Sequence, residues 1–234
     1  MRWKVWALAV GAMIIAFVGG YKLSSWRHRS LVINAEQSRR EHVILSHASQ
    51  VKHFGTIVLG DGITELAYLP PLCGDMVLNA GVGSYFLAQS AALLKRLLPI
   101  TSADRMILVA GLNDAHMTEP RNPIKFGREY GAYVDLAKTQ GGQVLLGTVG
   151  PAAKRMDYDT AFIDQINGAI RQAAKSHGLM LIDFNAALAG PDGAMAGTDT
   201  LDGAHLTASG YAKWRGALEG AACMSKTHAG PPHP

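Results

Sequence analysis

Short apolar runs alternate with longer amphipathic stretches through most of the chain. Five mostly apolar runs have the length of buried strands: Thr56–Leu59, Asp75–Leu78, Met106–Ala110, Val144–Val149 and Leu179–Phe184. Stretches with helical spacing, several of them bounded by Gly or Pro, lie between and after them: Ser84–Leu98, Pro123–Gln140, Tyr158–His177 and Thr207–Cys223. This alternation predicts an α/β fold, a three-layer α/β/α sandwich around a five-stranded parallel sheet.

The N-terminus carries an uncharged apolar run, Val5–Tyr21, between Arg2 and Lys4 on one side and Lys22 on the other. The run has about the minimum length of a membrane-spanning helix, so residues 1–26 are predicted to form a signal anchor. A cleaved secretory signal and a buried soluble helix are the alternatives. Both membrane interpretations place the rest of the chain outside the cytoplasm, and we expect a single-pass protein whose soluble domain is periplasmic.

Charge separates this N-terminal part from the rest. Residues 1–54 contain eight Lys or Arg and two Glu, a net charge of +6, which leaves −2 for the remainder. The polar, basic residues 27–54 are predicted to form a helical stalk, residues 55–224 the globular domain, and residues 225–234 a disordered tail. With 48% apolar and 17% charged residues the chain is not a disordered protein, and a globular part that is not basic excludes a nucleic-acid binder.

Polar, glycine-rich motifs follow the predicted strands. They are GDGIT at 60–64, NAGVG at 79–83, GLND at 111–114 and DGAH at 202–205. The carboxyl ends of parallel strands meet at one edge of a sheet, where ligands bind. Asp202 could orient the imidazole of His205 as a general base, and Asn113 supplies an uncharged donor. On the residues alone, a helix N-cap at Asp202 and a turn after Gly111 remain alternatives.

The four motifs, in this order, resemble those of the SGNH (GDSL-type) hydrolases, and the resemblance runs from about residue 55 to residue 222. In that family the first block reads Gly-Asp-Ser-x-Thr, the second supplies a glycine, the third reads Gly-x-Asn-Asp and the last reads Asp-x-x-His. The resemblance implies the flavodoxin-like SGNH hydrolase fold and carboxylic ester hydrolysis without a cofactor or a metal.

The resemblance also implies roles for individual residues. The serine expected at position 62 would attack the ester carbonyl, His205 would be its base, and Asp202 would orient His205. The backbone N–H groups of Gly62 and Gly83, with the Asn113 side chain, would form the oxyanion hole. The second block leaves its register open, because Gly81 or Ser84 could be the aligned residue instead of Gly83.

The nucleophile itself is missing, because Gly62 stands where the family has serine. No acyl-enzyme can form on a residue without a side chain. Three explanations stay open: an engineered Ser→Gly change, a natural pseudoenzyme that binds acylated glycans or a partner protein, and direct activation of water by His205. Thr64 is expected to be buried at a helix start, and nothing in the sequence places Ser84 against His205.

The substrate implied by the resemblance is an O-acyl or O-acetyl ester on an envelope or extracellular glycan, or a small ester. Tyr85 and Phe86 are the aromatic residues expected to stack on a sugar. The alternative function is that of a non-catalytic accessory protein in an exopolysaccharide synthesis or acylation complex of the cellulose or alginate type.

Cys73 and Cys223 are the two cysteines of the chain. In the predicted fold both lie on the face away from the cleft, and a pair of cysteines in an oxidising compartment usually forms a disulfide. We therefore predict a disulfide between them, with Cα atoms about 4.4–6.8 Å apart.

Overall fold

A computed structural model describes residues 24, 28, 30–152 and 157–228. Its five strands are β1 (His53–Gly60), β2 (Val77–Gly81), β3 (Ser102–Val109), β4 (Gln143–Gly147) and β5 (Met180–Ile182). They form one parallel sheet in the order β2-β1-β3-β4-β5. The predicted α/β fold with a five-stranded parallel sheet is confirmed.

Helices cover both faces of this sheet. The described helices are α1 (residues 30–50), α2 (Gly62–Leu66), α3 (Leu87–Leu97), α4 (Pro123–Lys138), α5 (Thr160–His177), α6 (Phe184–Leu188) and α7 (Ala208–His228). The connections from β2 to β5 all run in one direction across the sheet. Because parallel crossovers are right-handed as a rule, this order places α3, α4 and α5 on one face, where α4 packs against both of the others. The β1–β2 crossover runs in the opposite direction, and α7 packs against α6 and β5.

The central residues of β1, β3 and β4 are apolar because both faces of these strands are covered. Ile57, Val58 and Leu59 of β1 have no solvent exposure. Trp214 of α7 is also buried and stacks on Phe184 of α6 with ring centroids 4.8 Å apart. The rigid centre of the sheet positions the loops at the carboxyl ends of its strands.

The helical patterns predicted from the sequence do not include two short helices, although Thr64 was expected at a helix start. α2 and α6 have five residues each, too few to show a helical period. Each begins after an aspartate whose carboxylate accepts a backbone N–H: Asp61 from Ile63 and Asp183 from Ala186. The strand predicted at Leu179–Phe184 therefore ends at Ile182.

The C-terminal boundary also differs from the prediction. α7 continues to His228 rather than ending at Cys223, so the first residues of the predicted disordered tail, 225–234, are helical. The sequence contains no Gly or Pro between Cys223 and Gly230, so nothing breaks the helix there. Residues 229–234 lie outside the described residues.

Part of the predicted stalk belongs to the domain. The compact unit that holds the sheet begins at Glu41, earlier than residue 55, and Ile44 and Ala48 of α1 are buried in it. The predicted membrane segment Val5–Tyr21 lies outside the described residues. Among the helices that the structure describes, none is long and apolar enough to span a membrane.

A disulfide joins Cys73, in the loop between α2 and β2, to Cys223 of α7, with Cα atoms 5.5 Å apart. The predicted pairing of Cys73 with Cys223 is therefore confirmed. The bond ties the last helix to the β1–β2 connection, and it encloses most of the sheet in one covalent loop.

Candidate active site

The four sequence motifs converge on one pocket at the carboxyl edge of the sheet. This pocket has a volume of about 300 Å³, and Gly62, Gly83, Asn113 and His205 line it. The motifs meet because β1, β2 and β3 lie side by side, and the loop before α7 returns across the same edge.

Asp202 and His205 form a hydrogen-bonded pair on that loop. Nδ1 of His205 lies 2.8 Å from one Asp202 carboxylate oxygen, and the other oxygen accepts the backbone N–H groups of His205 and Ala204. Partial burial works against ionisation, but the hydrogen bonds from the His205 ring and from the two backbone groups hold the pKa of Asp202 well below its usual range. An ionised Asp202 fixes the orientation of the ring and stabilises the imidazolium form of His205.

Gly62 faces the other ring nitrogen of His205. A Cβ atom built on Gly62 would lie 4.0 Å from Nε2 of His205 and 3.6 Å from Cα of Gly83, both ordinary contacts. A serine side chain therefore fits at this position without displacing its neighbours, and its hydroxyl would lie within reach of Nε2. The geometry is that of a nucleophile–base–orienter set from which the nucleophile is absent.

Asp61 holds the first turn of α2, which carries Gly62. Its buried carboxylate accepts the N–H of Ile63 at 3.0 Å, and the hydroxyl of Tyr211 donates to the Ile63 carbonyl at 2.9 Å. Burial raises the pKa of Asp61 to about 6, although backbone hydrogen bonds and the proximity of His205 act in the opposite direction. Asp61 thus caps the helix and fixes where residue 62 lies.

The two predicted oxyanion donors besides Gly62 already have acceptors inside the protein. The N–H of Gly83 donates to the Glu65 carboxylate at 2.5 Å, and Nδ2 of Asn113 donates to the Tyr85 carbonyl at 2.9 Å. The Asn113 amide has a second N–H, so it can donate to another acceptor as well. Both residues line the pocket.

The structure also bears on the register of the second block. Gly81 is the last residue of β2, and its N–H donates to the Asn79 side chain at 3.0 Å. A Cβ on Gly81 would lie only 2.3 Å from the backbone nitrogen of Glu65, so this glycine is required by close packing of β2 against α2. Gly83 and Ser84 line the pocket, and Ser84 has a left-handed backbone with φ 59°.

Two of the residues considered in the sequence analysis lie away from solvent. Thr64 has no solvent exposure, as expected, and lies within α2. Tyr85 was expected to stack on a sugar, and this expectation is wrong. Its side chain is buried and its hydroxyl donates to the Glu41 carboxylate. Tyr158 is the aromatic residue that lines the pocket.

Sequence reasoning missed Glu65 and Tyr158 as pocket residues. Glu65 directly follows the first motif, but a helix start at Thr64 does not show that the Glu65 side chain turns toward Gly83. Tyr158 was placed at the start of a helix, and it lies just before α5 instead. Within the described part of the chain, no cluster of three or more His, Cys, Asp or Glu could hold a metal ion.

Solved structures with the same fold span nearly the whole domain. A protein from Streptococcus pneumonia named after platelet activating factor has 20% identity and a TM-score of 0.73, covering 85% of this chain and 98% of its own. A lipase/acylhydrolase from Enterococcus faecalis has 18% identity and a TM-score of 0.63, covering 79% and 100%. An acetyl xylan esterase has 20% identity and a TM-score of 0.60, covering 71% and 98%.

These likenesses show the fold, and the family follows from the sequence. No curated protein sequence matches the chain significantly. The sequence model of the GDSL-like lipase/acylhydrolase family matches residues 58–213, about two thirds of the chain, and this range contains all four motifs. The chain therefore belongs to the GDSL-like lipase/acylhydrolase (SGNH) family.

Proposed function

We propose that the protein carries an SGNH ester-hydrolase site that lacks only its nucleophile. The observation that supports this most directly is the distance of 4.0 Å between Nε2 of His205 and the Cβ position at Gly62. With glycine at residue 62, the chain binds an acyl ester in this pocket but forms no acyl-enzyme, because no hydroxyl is present there. In serine proteases, loss of the nucleophile costs about 10⁶ in kcat.

With serine at position 62 the remaining residues complete an acyl transfer. The hydroxyl would attack the ester carbonyl carbon while Nε2 of His205 takes its proton, and Asp202 would stabilise the resulting imidazolium. The carbonyl oxygen would become an oxyanion held by the backbone N–H groups of residues 62 and 83 and by Asn113. His205 would then protonate the leaving alkoxide. In the second half-reaction His205 would take a proton from water, the water oxygen would bond to the acyl carbon, and the proton would return to the serine oxygen as the acid leaves.

The test is to introduce Gly62→Ser and measure hydrolysis of p-nitrophenyl acetate. We expect activity in Gly62→Ser, none above background in the parent, and none in Gly62→Ala or in Gly62→Ser/His205→Ala. Equal rates in the parent and Gly62→Ser would contradict the proposal and point to activation of water by His205. No activity in any folded variant would leave a binding role.

The proposed substrate is an O-acetyl or other short O-acyl ester of an extracellular or envelope glycan. A pocket of about 300 Å³ suits a short acyl group, Tyr158 offers an aromatic surface, and one protein of the same fold is an acetyl xylan esterase. Gly62→Ser should release acetate from acetylated polysaccharides faster than it cleaves long-chain nitrophenyl esters. Preference for the long-chain esters would contradict this assignment.

A non-catalytic accessory role in exopolysaccharide synthesis or acylation is the second candidate. Gly62 itself favours it, since the pocket is retained without the group that turns substrate over. We propose the same location for both functions: a domain anchored in the membrane by residues 1–26 and exposed to the periplasm. The Cys73–Cys223 disulfide supports an oxidising compartment. Envelope proteins that co-purify with the detergent-extracted chain, whatever residue occupies position 62, would support the accessory role.

A further inference from the structure

Glu65 occupies a position that an ester would need. Its carboxylate accepts the N–H of Gly83 at 2.5 Å, and both residues line the pocket with Gly62 and His205. The sequence motifs assign no role to Glu65. The contact brings a negatively charged group to the edge of the pocket where the carbonyl oxygen of a bound ester is expected.

The surrounding backbone builds this contact. Asn79 of β2 donates from Nδ2 to the carbonyl oxygens of Thr64 at 2.8 Å and of Ala67 at 3.1 Å, and so holds the end of α2 against β2. Its other amide atom, Oδ1, accepts the N–H of Gly81 at 3.0 Å. Glu65, which lies in this clamped helix, therefore stands beside the loop that carries Gly83.

Gly83 lets the carboxylate come this close. A Cβ atom on residue 83 would lie 3.1 Å from Oε2 of Glu65, tighter than ordinary contact. Any other residue at this position would push the carboxylate outward. Gly83, which is expected to donate its N–H to the oxyanion, thus also allows the Glu65 carboxylate to approach and accept that N–H.

A backbone amide has one proton to donate, and a carboxylate is a strong acceptor for it. An oxyanion that formed here would meet an occupied donor and a like charge beside it. An oxyanion hole accelerates acyl transfer only when its donors are directed at the developing charge. The contact between Glu65 and Gly83 therefore opposes both binding of the ester oxygen and stabilisation of the oxyanion.

We propose that Glu65 is an internal ligand that closes the oxyanion hole and that an ester must displace to bind productively. The proposal rests on the function proposed above for the same pocket. Glu65 acts through the Gly83 amide and takes no proton from the substrate. It is therefore not a catalytic residue, and it controls whether the Gly83 N–H is available to the substrate. Its removal should raise kcat in a chain whose nucleophile has been restored.

The kinetic test compares three full-length proteins extracted in detergent: Gly62→Ser, Gly62→Ser/Glu65→Ala and Gly62→Ser/Glu219→Ala. Glu219 is an exposed glutamate on α7 and serves as the matched control. Loss of one oxyanion donor costs about 10²–10³ in kcat, so freeing one should raise kcat for p-nitrophenyl acetate by about tenfold or more. The Glu219 variant should match Gly62→Ser. Where Gly62→Ser is active, a kcat in the Glu65 variant that is equal to or below that of Gly62→Ser overturns the proposal.

A second measurement separates this proposal from the one on which it rests. In the parent chain with Gly62, the amide proton of Gly83 should resonate downfield and move upfield in Glu65→Ala, but not in Glu219→Ala. If every Gly62→Ser variant is folded but inactive, the proposed function fails, while the amide shift still decides the contact. An unchanged Gly83 resonance in Glu65→Ala overturns the internal-ligand proposal whatever the kinetics.

Discussion

His205 binds Asp202 through one ring nitrogen and directs the other toward the empty side of Gly62. Asp202 also accepts two backbone N–H groups of its own loop, so the position of its carboxylate is fixed by the loop as well as by His205. The loop is thus folded around the carboxylate, and the carboxylate in turn fixes the orientation of the His205 imidazole. Replacing single side chains in this pocket should therefore have large effects, and kcat and stability should respond to different residues.

Replacing Asp202 tests whether it orients His205. In the Gly62→Ser background, Asp202→Asn should lower kcat by about 10²–10⁴ with little change in KM, since an amide favours the wrong ring tautomer. Steady-state hydrolysis of p-nitrophenyl acetate measures this. Asp135→Asn, at an exposed site on α4, is the control and should have no effect. A loss below twofold for Asp202→Asn would mean that it does not orient the base.

Burial of Asp61 predicts a dependence of stability on pH. Because its pKa is raised from 3.8 to about 6, the folded state binds a proton more tightly than the unfolded state. Stability therefore falls as pH rises from about 4 to about 6, by up to about 3 kcal/mol for this group. Asp61→Asn keeps an acceptor for the helix cap and loses this dependence.

Urea unfolding at pH 4 and pH 7 checks the prediction for Asp61. The stability of Asp61→Asn relative to the parent should rise between these two pH values. Burial also raises the pKa of Asp114 to about 6, so the parent loses stability through both groups and only the difference between the proteins isolates Asp61. A constant difference would show that burial does not perturb Asp61.

At the scale of elements, β2 and α2 are in unusually close contact. A Cβ on Gly81 would lie 2.3 Å from the nitrogen of Glu65 and 2.6 Å from the carbonyl carbon of Thr64, and backbone cannot rotate away. The side chain of Asn79 replaces the backbone hydrogen bonds that the end of such a short helix lacks. Five residues form a stable helix here because of these tertiary contacts.

Gly81→Ala should destabilise the domain by about 1–3 kcal/mol or more, because it forces α2 away from the sheet. The matched control is Gly131→Ala, in the interior of α4, where a Cβ would meet nothing within 4 Å. That substitution should stabilise the protein by up to about 1 kcal/mol. Urea unfolding of both variants measures the contrast, and equal effects would refute the close packing of β2 against α2.

The disulfide fastens α7 to the β1–β2 connection across a sequence separation of 150 residues. Replacing both cysteines by serine should cost about 2–5 kcal/mol, mainly because the unfolded chain gains freedom. Denaturant unfolding of the double variant, compared with the parent with and without a reductant, gives the value. The reduced parent should match the double variant. No loss in either would mean that the bond does not constrain the unfolded chain.

At the scale of the whole molecule, the anchor prediction concerns residues 1–26. The full chain should remain in the membrane fraction after alkaline carbonate extraction, because an apolar helix of this length holds a protein in the bilayer. A chain that begins at residue 27 and is exported by an unrelated cleaved signal should be soluble and folded. Release of the full chain by carbonate would contradict the anchor.

Much of the architecture was predictable from local pattern. Runs such as Met106–Ala110 are apolar because strands covered on both faces have no polar side, and this leaves a signal in a few consecutive residues. The convergence of GLND and DGAH followed from a general property of parallel sheets. The pairing of Cys73 with Cys223 followed from the same topology. These inferences needed only the order of the strands and helices, which the local patterns give.

The detailed side-chain contacts around the pocket were decided only by the tertiary structure. α2 has no period of its own, so the approach of Glu65 to Gly83 depends on how Asn79 and Gly81 seat that helix on the sheet. Burial of Tyr85 depends likewise on Glu41, from a helix that the sequence assigned to a stalk. Side-chain pairs of this kind arise from angles and distances set by many residues at once, and no local pattern encodes them.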